Sequence, residues 1–203
     1  MGPIDKHIHI ERESAYEQRL VARFQAGEPE ALGALFELHV DRVFAYARHL
    51  LGNREDAEEI TSEAFLRSFE RIGSYRGECP FRGWLFGITR NLCLDRQRQP
   101  RLLLLDPEAM TPDDDGGVDI RQLETAIVVR QALADISTEH RLVLLLCDVE
   151  EWDAREAALT LNKTVAATKS LLYRARREMR ARIREKLDDG CEDDIDGEMT
   201  DAV

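Results

Sequence analysis

Apolar residues recur at three- and four-residue intervals along nearly the whole chain, and no stretch alternates as a half-buried strand would. The pattern predicts an all-α fold. A first helix runs from Ser14 to about Ala26 and stops at Gly27. Glu28-Pro29 opens a second, with proline early, where its missing N–H costs nothing. Leu32, Leu35, Phe36, Val40, Val43, Phe44, Ala47 and Leu51 form its apolar face, and Gly52 ends it. Asn53 caps a third helix with an acidic first turn, which ends at Gly73. Residues 73–80 carry two glycines and a proline and read as a loop. A fourth helix sets Phe81, Trp84, Leu85, Ile88 and Leu92 on one side, with Trp84 in the core, and turns polar at 96–100. Four further helices follow at about 120–135, 138–149, 153–160 and 164–187, with Asp153 and Thr164 as N-caps.

The helices divide into two small bundles, 14–99 and 120–187. They are joined by an acidic flexible linker at 100–119 and flanked by an extension at 1–13 and an acidic disordered tail at 188–203. No apolar run approaches the length of a membrane span, and the first residues lack a basic-then-apolar leader pattern. The expectation is a cytoplasmic chain without membrane insertion.

Charge changes the picture more than composition does. The formal net charge of −12 argues, in bulk, against a nucleic-acid ligand. Its distribution argues otherwise. Residues 100–119 carry −5 and residues 188–203 carry −8, whereas 163–187 hold nine Lys/Arg against two Glu. The molecule is acidic in its connections and strongly basic on one helix.

No Gly-rich phosphate loop, His-Glu-x-x-His, nucleophile elbow or paired His/Cys arrangement occurs, so neither a catalytic residue nor a cofactor is expected. Cys79, Cys93, Cys147 and Cys191 lack zinc-type spacing, and His7 and His9 read as no metal site. Cys93 and Cys147 read as small buried hydrophobes; a Cys79–Cys191 disulfide is conceivable but disfavoured in a reducing compartment.

The strongest local signal lies between Trp152 and Lys186. A short helix, a turn at Leu161-Asn-Lys-Thr164 and a long basic helix have the layout of a helix-turn-helix. The long helix is expected to hide Val165, Leu172, Met179, Ile183 and Leu187. It is expected to display Lys169, Ser170, Tyr173, Arg174, Arg176, Arg177 and Arg180. A basic amphipathic helix that packs, coils or touches anionic lipid would carry the same pattern.

Those residues, Trp152-Asp-Ala-Arg-Glu-Ala-Ala through Leu172-Tyr-Arg-Ala-Arg-Arg, resemble the DNA-reading C-terminal region of bacterial sigma factors. An independent half resembles the same family. Gly27-Glu-Pro-Glu-Ala-Leu is similar to the opening of sigma region 2, and Leu50-Leu-Gly-Asn-Arg-Glu-Asp-Ala-Glu-Glu-Ile to its polymerase-binding helix. Phe81-Arg-Gly-Trp-Leu-Phe-Gly-Ile-Thr-Arg-Asn is similar to its promoter-melting helix. The order and the short length resemble the extracytoplasmic-function (ECF) type of the sigma-70 family.

The resemblance implies a non-enzymatic bacterial transcription initiation factor. Such a chain binds core RNA polymerase at its clamp helices and flap, directs it to −35/−10 promoter DNA and assists opening. A regulating anti-sigma factor is a further expected partner, and the free chain is expected to be a monomer. It implies polymerase contacts at Asp56, Glu59, Ile60, Glu63 and Phe65. It implies −10 contacts at Tyr75, Arg76, Arg82, Arg90, Asn91, Asp95 and Arg98. For the −35 element it implies Thr164, Lys169, Ser170, Tyr173, Arg174 and Arg177. Thr168, Leu171 and Lys163 depart from the family's usual residues, and Leu171 is expected to remove a cation that would face DNA. Two rival readings are a helical protein-interaction module and an ordinary helix-turn-helix repressor without polymerase binding. The acidic tail either shields the basic helix or merely solubilises.

Overall fold

The computed structural model describes residues 15–98 and 120–189. The expected extension, linker and most of the tail, with Cys191, lie outside the described residues.

Every described element is helical. α1 covers 15–25, followed by α2 (Glu30–Leu51), α3 (Arg54–Glu70), a single 3-10 turn (Ile72–Ser74) and α4 (Phe81–Arg98). The second bundle comprises α5 (Ile120–Asp135), α6 (Thr138–Leu144), α7 (Ala154–Leu161) and α8 (Val165–Asp189). Among the described residues no helix is long and apolar enough to cross a membrane.

Local chemistry accounts for the breaks. Gly52 takes φ +79°, a left-handed conformation that spares glycine the usual Cβ clash, and its N–H closes α2 on the Arg48 carbonyl. The next residue, Asn53, accepts the Asp56 N–H at 2.7 Å and starts α3. Two adjacent residues thus stop one helix and begin another, which folds α3 back on α2. Ser137 caps α6, and Asp153 forms a full capping box with Glu156 at the start of α7. Replacing Asp153 with Ala should lower stability by about 0.5–2 kcal/mol, while Asp153→Asn retains most of it. Chemical denaturation of the two variants measures this; equal loss in both would contradict the cap's role.

The first bundle buries Leu35, Val43, Leu50, Phe65, Phe81, Leu85 and Phe86 almost completely. Each such side chain contributes about 1.5–3 kcal/mol through removal from water. The apolar face of α2 differs from expectation at Phe36, which is 40% exposed, while the polar His39 is 3% exposed. The His39 Nε2 stands 2.9 Å from the buried Glu17 Oε1, close enough for an ion pair but outside hydrogen-bond geometry. Glu17 Oε1 accepts the Arg82 backbone N–H at 3.1 Å, so α1, α2 and α4 meet at one polar knot.

The single helix expected over 138–149 instead changes register. From Leu145 to Val149 it widens into a π turn, with the Glu150 N–H bonded to the Leu145 carbonyl. Glu151 then adopts φ +57°, and the Trp152 N–H returns to the Leu146 carbonyl. The widened turn aims Glu150 and Trp152 away from their own bundle, toward the first one.

The two bundles consequently pack together. Trp152, 4% exposed, meets the Phe86 ring at 5.1 Å between centroids, and the Arg82 guanidinium lies 5.3 Å from the Trp152 ring centre. Arg82 also pairs with Glu156 at 2.6 Å, Arg42 with Glu150 at 3.0 Å, and Thr160 Oγ1 donates to the Gly83 carbonyl at 3.2 Å. Burial pushes the Glu150 carboxyl above the usual carboxylate range, with Arg42 opposing the shift.

Candidate nucleic-acid interface

The basic face of α8 follows from where its apolar stripe falls. Thr168, Leu171 and Ala175 are buried at 0–2% exposure, with Leu172 and Met179 partly buried beside them. This stripe overlaps the expected one in part, since Leu172, Met179 and Ile183 of the expected set are partly buried. Val165 and Leu187 are exposed, and Leu171 faces the core, so its place in the sequence costs DNA no cation. The expected face was rotated by about one residue, because α8 must pack on α5, α6 and α7 at once.

The remaining face carries the residues expected to meet DNA. Lys169, Ser170, Tyr173, Arg174 and Arg177 are all exposed, at positions that recur with the helical repeat. Tyr173 is 70% exposed, an unusual cost for an aromatic ring without a partner. Thr164 sits at the start, its Oγ1 accepting the Ala167 N–H at 3.2 Å. Arg176 turns away and binds Asp148 through both Nε and Nη2. Lys163 pairs with Glu139 at 2.6 Å, which holds that carboxyl below its usual range. The turn between α7 and α8 is made by Asn162 at φ +53°, as its residue type foreshadowed.

In the first bundle, the loop after α3 forms a cleft of about 550 Å³ with α1, lined by Gln18, Gln25, Tyr75, Arg76, Gly77 and Cys79 among others. Gln25 fixes its rim by donating to the carbonyls of Ile72 and Tyr75 at 3.1 and 3.0 Å. The Tyr75 hydroxyl donates to the Cys79 carbonyl at 2.5 Å, and its ring packs on Phe81 and Trp84. Burial pushes the Tyr75 phenol up to about 12, so it stays a neutral donor. Arg76 is exposed at the cleft. The cleft offers a polar rim and an aromatic wall, which suits a planar heterocycle on a phosphate strand.

The expected α4 contacts divide. Asn91, Asp95 and Arg98 are exposed along one face, with Asp95 and Arg98 paired at 3.2 Å. Arg90 is half-buried, its Nε buried without a hydrogen-bond partner. Arg82 is engaged within the chain, held between Trp152 and Glu156 of the second bundle. Its exposure to a ligand requires that contact to break.

The expected polymerase-contacting residues on α3 also divide. Ile60 and Phe65 are 4% and 2% exposed and belong to the core. Asp56 and Glu59 both receive Arg96, at 2.6 and 2.7 Å, and Glu63 pairs with Arg67. Leu66, absent from the expected set, is 58% exposed one turn from Glu63 and Ser62. Its position, out of phase with the buried Ala57, Ala64 and Phe65, was the available signal.

Among the described residues the thiols do not form a reactive group. Cys79, Cys93 and Cys147 are free, and burial pushes Cys93 up to about 12 and Cys147 up to about 11.

Comparison with known proteins places these surfaces in a family. The profile of Sigma-70 region 2 matches residues 35–101, and that of Sigma-70 region 4 matches 127–179. The ECF RNA polymerase sigma factor BldN of Streptomyces coelicolor is 32% identical over 176 residues, covering 82% of this chain. This chain spans 66% of BldN's length. The ECF RNA polymerase sigma factor SigM of Mycobacterium tuberculosis is 30% identical over 166 residues, with 81% of this chain and 83% of SigM covered. Among solved structures, the sigma factor RpoE of Bartonella quintana, in complex with the anti-sigma factor NepR, superposes with a TM-score of 0.61 at 19% identity. That alignment covers 73% of this chain and 94% of RpoE, and it speaks to the fold. The chain belongs to the sigma-70 family, among the ECF RNA polymerase sigma factors.

Proposed function

We propose that this chain is a transcription initiation factor that binds core RNA polymerase and directs it to −35/−10 promoters, acting in the bacterial cytoplasm. The observation that carries the reading is the exposed basic face of α8, braced by α7 and presented beyond a left-handed turn, in one chain with an acidic, leucine-bearing α3. Residues 120–187 form the −35 unit: Lys169, Arg174 and Arg177 meet phosphates or guanine edges, while Ser170, Tyr173 and Thr164 set register. Residues 14–99 form the polymerase-binding and −10 unit. Glu59, Glu63 and Leu66 face the clamp helices, and the Tyr75–Arg76 cleft takes an unpaired base, with Asn91 and Arg98 following the strand.

Reading both elements together requires the bundles to part. Sites about 25 base pairs apart lie about 85 Å apart on B-form DNA. The contact of Trp152 with Phe86 and of Arg82 with Glu156 cannot persist across that distance. The closed arrangement is therefore the free form, and Arg82 reaches promoter DNA only after opening. An anti-sigma partner that favours the closed form would act by withholding Arg82; the RpoE–NepR complex supports such a partner by kinship.

Transcription in vitro with purified core enzyme and candidate promoter fragments tests the reading. Initiation that depends on adding this chain is the expected result. Binding to a palindromic site without polymerase would instead indicate a repressor, and binding to neither would leave a protein-interaction module.

A further inference from the structure

A second cleft, of about 660 Å³, opens between the bundles. It brings together Arg48 and His49 of α2, Arg130 of α5, Arg141 of α6 and Lys186 of α8, against Asp135. Phe44 and Leu133 supply apolar wall.

Among the described residues the cations there are poorly compensated. Lys186 takes the one carboxylate among the described lining residues, Asp135, at 2.7 Å. Arg141 spends its guanidinium on the carbonyls of Leu133, Ala134 and Leu50, which accept hydrogen bonds but cancel no charge. Arg130 is half-buried, and its Nη1 is buried without a hydrogen-bond partner. Burial, then the nearby Arg130, Arg48 and Arg141, hold His49 below its usual range, so the ring adds no charge at neutral pH. The site is a part-buried cationic pocket with room for an anionic segment.

The chain supplies one. Beyond Asp189, the last described residue of α8, follow Glu192, Asp193, Asp194, Asp196, Glu198 and Asp201, without a base and with Ile195 and Met199 among them. Lys186 is three residues before that point, about 4.5 Å along the helix axis. Fourteen residues reach up to about 45–50 Å, several times the distance needed to enter. Carboxylates interleaved with two apolar side chains match cations set beside Phe44 and Leu133.

We propose that residues 190–203 dock in the cleft formed by Arg48, Arg130, Arg141 and Lys186 and thereby hold the two bundles together. The segment acts as a tether that must leave before the bundles separate. Being intramolecular, it needs little intrinsic affinity, since its effective concentration is in the millimolar range. Being ionic, it loosens with salt.

The test uses the full chain and a variant with those six carboxylates changed to Asn or Gln, which leaves every described residue unchanged in sequence. Arginine side-chain Nε–Hε resonances are followed by NMR at 50 mM and 500 mM salt. The expected result is a displacement of Arg48 and Arg130 signals in the variant at low salt, with a smaller difference at high salt and Arg19 unmoved. Unmoved Arg48 and Arg130 signals overturn the proposal. If Arg174 and Arg177 move in their place, the acidic segment lies against the DNA-facing helix instead. Inorganic phosphate that shifts Arg48 and Arg130, where the tail substitutions do not, assigns the cleft to a free anion and equally overturns it. The readout involves neither polymerase nor promoter, so its failure and that of the promoter reading are separable.

Discussion

Phe65→Ala is expected to destabilise the chain by about 3–5 kcal/mol, lowering its melting temperature by roughly 6–20 °C. Phe65 is 2% exposed and touches Phe36 and Phe69, with ring centroids 4.7 and 5.7 Å away. Removing the ring leaves a void between α2 and α3 that neighbouring side chains fill only in part. Any loss of polymerase binding in this variant is then a consequence of unfolding. Leu66→Ala makes the opposite prediction. Leu66 is 58% exposed, so its truncation should change stability by less than about 0.5 kcal/mol. If Leu66 is an apolar anchor among the α3 carboxylates, core polymerase binding should weaken fivefold or more. Thermal denaturation alongside a polymerase-binding assay separates the two. A stable Phe65→Ala variant with weak polymerase binding would restore the residue to the contact surface and overturn its assignment to the core.

The contrast between neighbours 65 and 66 shows what the sequence makes legible. Helix number, order and ends follow from local signals: Asn53 and Asp153 cap where expected, and Gly27, Gly52 and Asn162 take the positive φ angles that end their helices. The exposed set Lys169, Ser170, Tyr173, Arg174 and Arg177 is also legible, because cations in a helical repeat have few other places to go. Rotation of a helix about its axis is less so. On α8 the true stripe, Thr168, Leu171 and Ala175, uses small and ambivalent residues, while more apolar Val165 and Leu187 stay outside. Packing against three partners selects volume as well as hydrophobicity. On α3, kinship pointed to Ile60 and Phe65 as a surface, yet an apolar residue within an acidic helix serves the core first.

What the sequence hides most is contact between distant segments. Arg82 reads as a DNA-facing cation, and Trp152 as the edge of a helix-turn-helix; nothing local announces that they meet. The meeting depends on the π turn at Leu145–Val149, a backbone insertion with no compositional mark. The cationic cleft is hidden for the same reason, since Arg48, Arg130 and Lys186 lie far apart in the chain.

Arg174→Ala is expected to weaken promoter binding by about 1–3 kcal/mol, or about 5- to 150-fold, if its guanidinium reads a guanine edge. The side chain is exposed on α8 one turn beyond Ser170, and Arg177 lies one turn further along the same face. Arg177→Ala, if that residue binds a phosphate, should weaken all sequences nearly alike and reduce the salt slope by about one. The two positions share one DNA face, so the double variant need not show the sum of the single losses. Arg176→Ala is the control. Its charge is already committed to Asp148, an exposed pair whose loss costs about 1 kcal/mol of stability or less. Promoter affinity should be measured for the polymerase-bound chain, across base substitutions in the −35 element and at several salt concentrations. A relaxed preference at one position with Arg174→Ala, and a uniform salt-dependent loss with Arg177→Ala, are the expected outcomes. Unchanged affinity in both variants, with Arg176→Ala the damaging one, would rotate the DNA-facing surface of α8 toward Asp148 and refute the face described above.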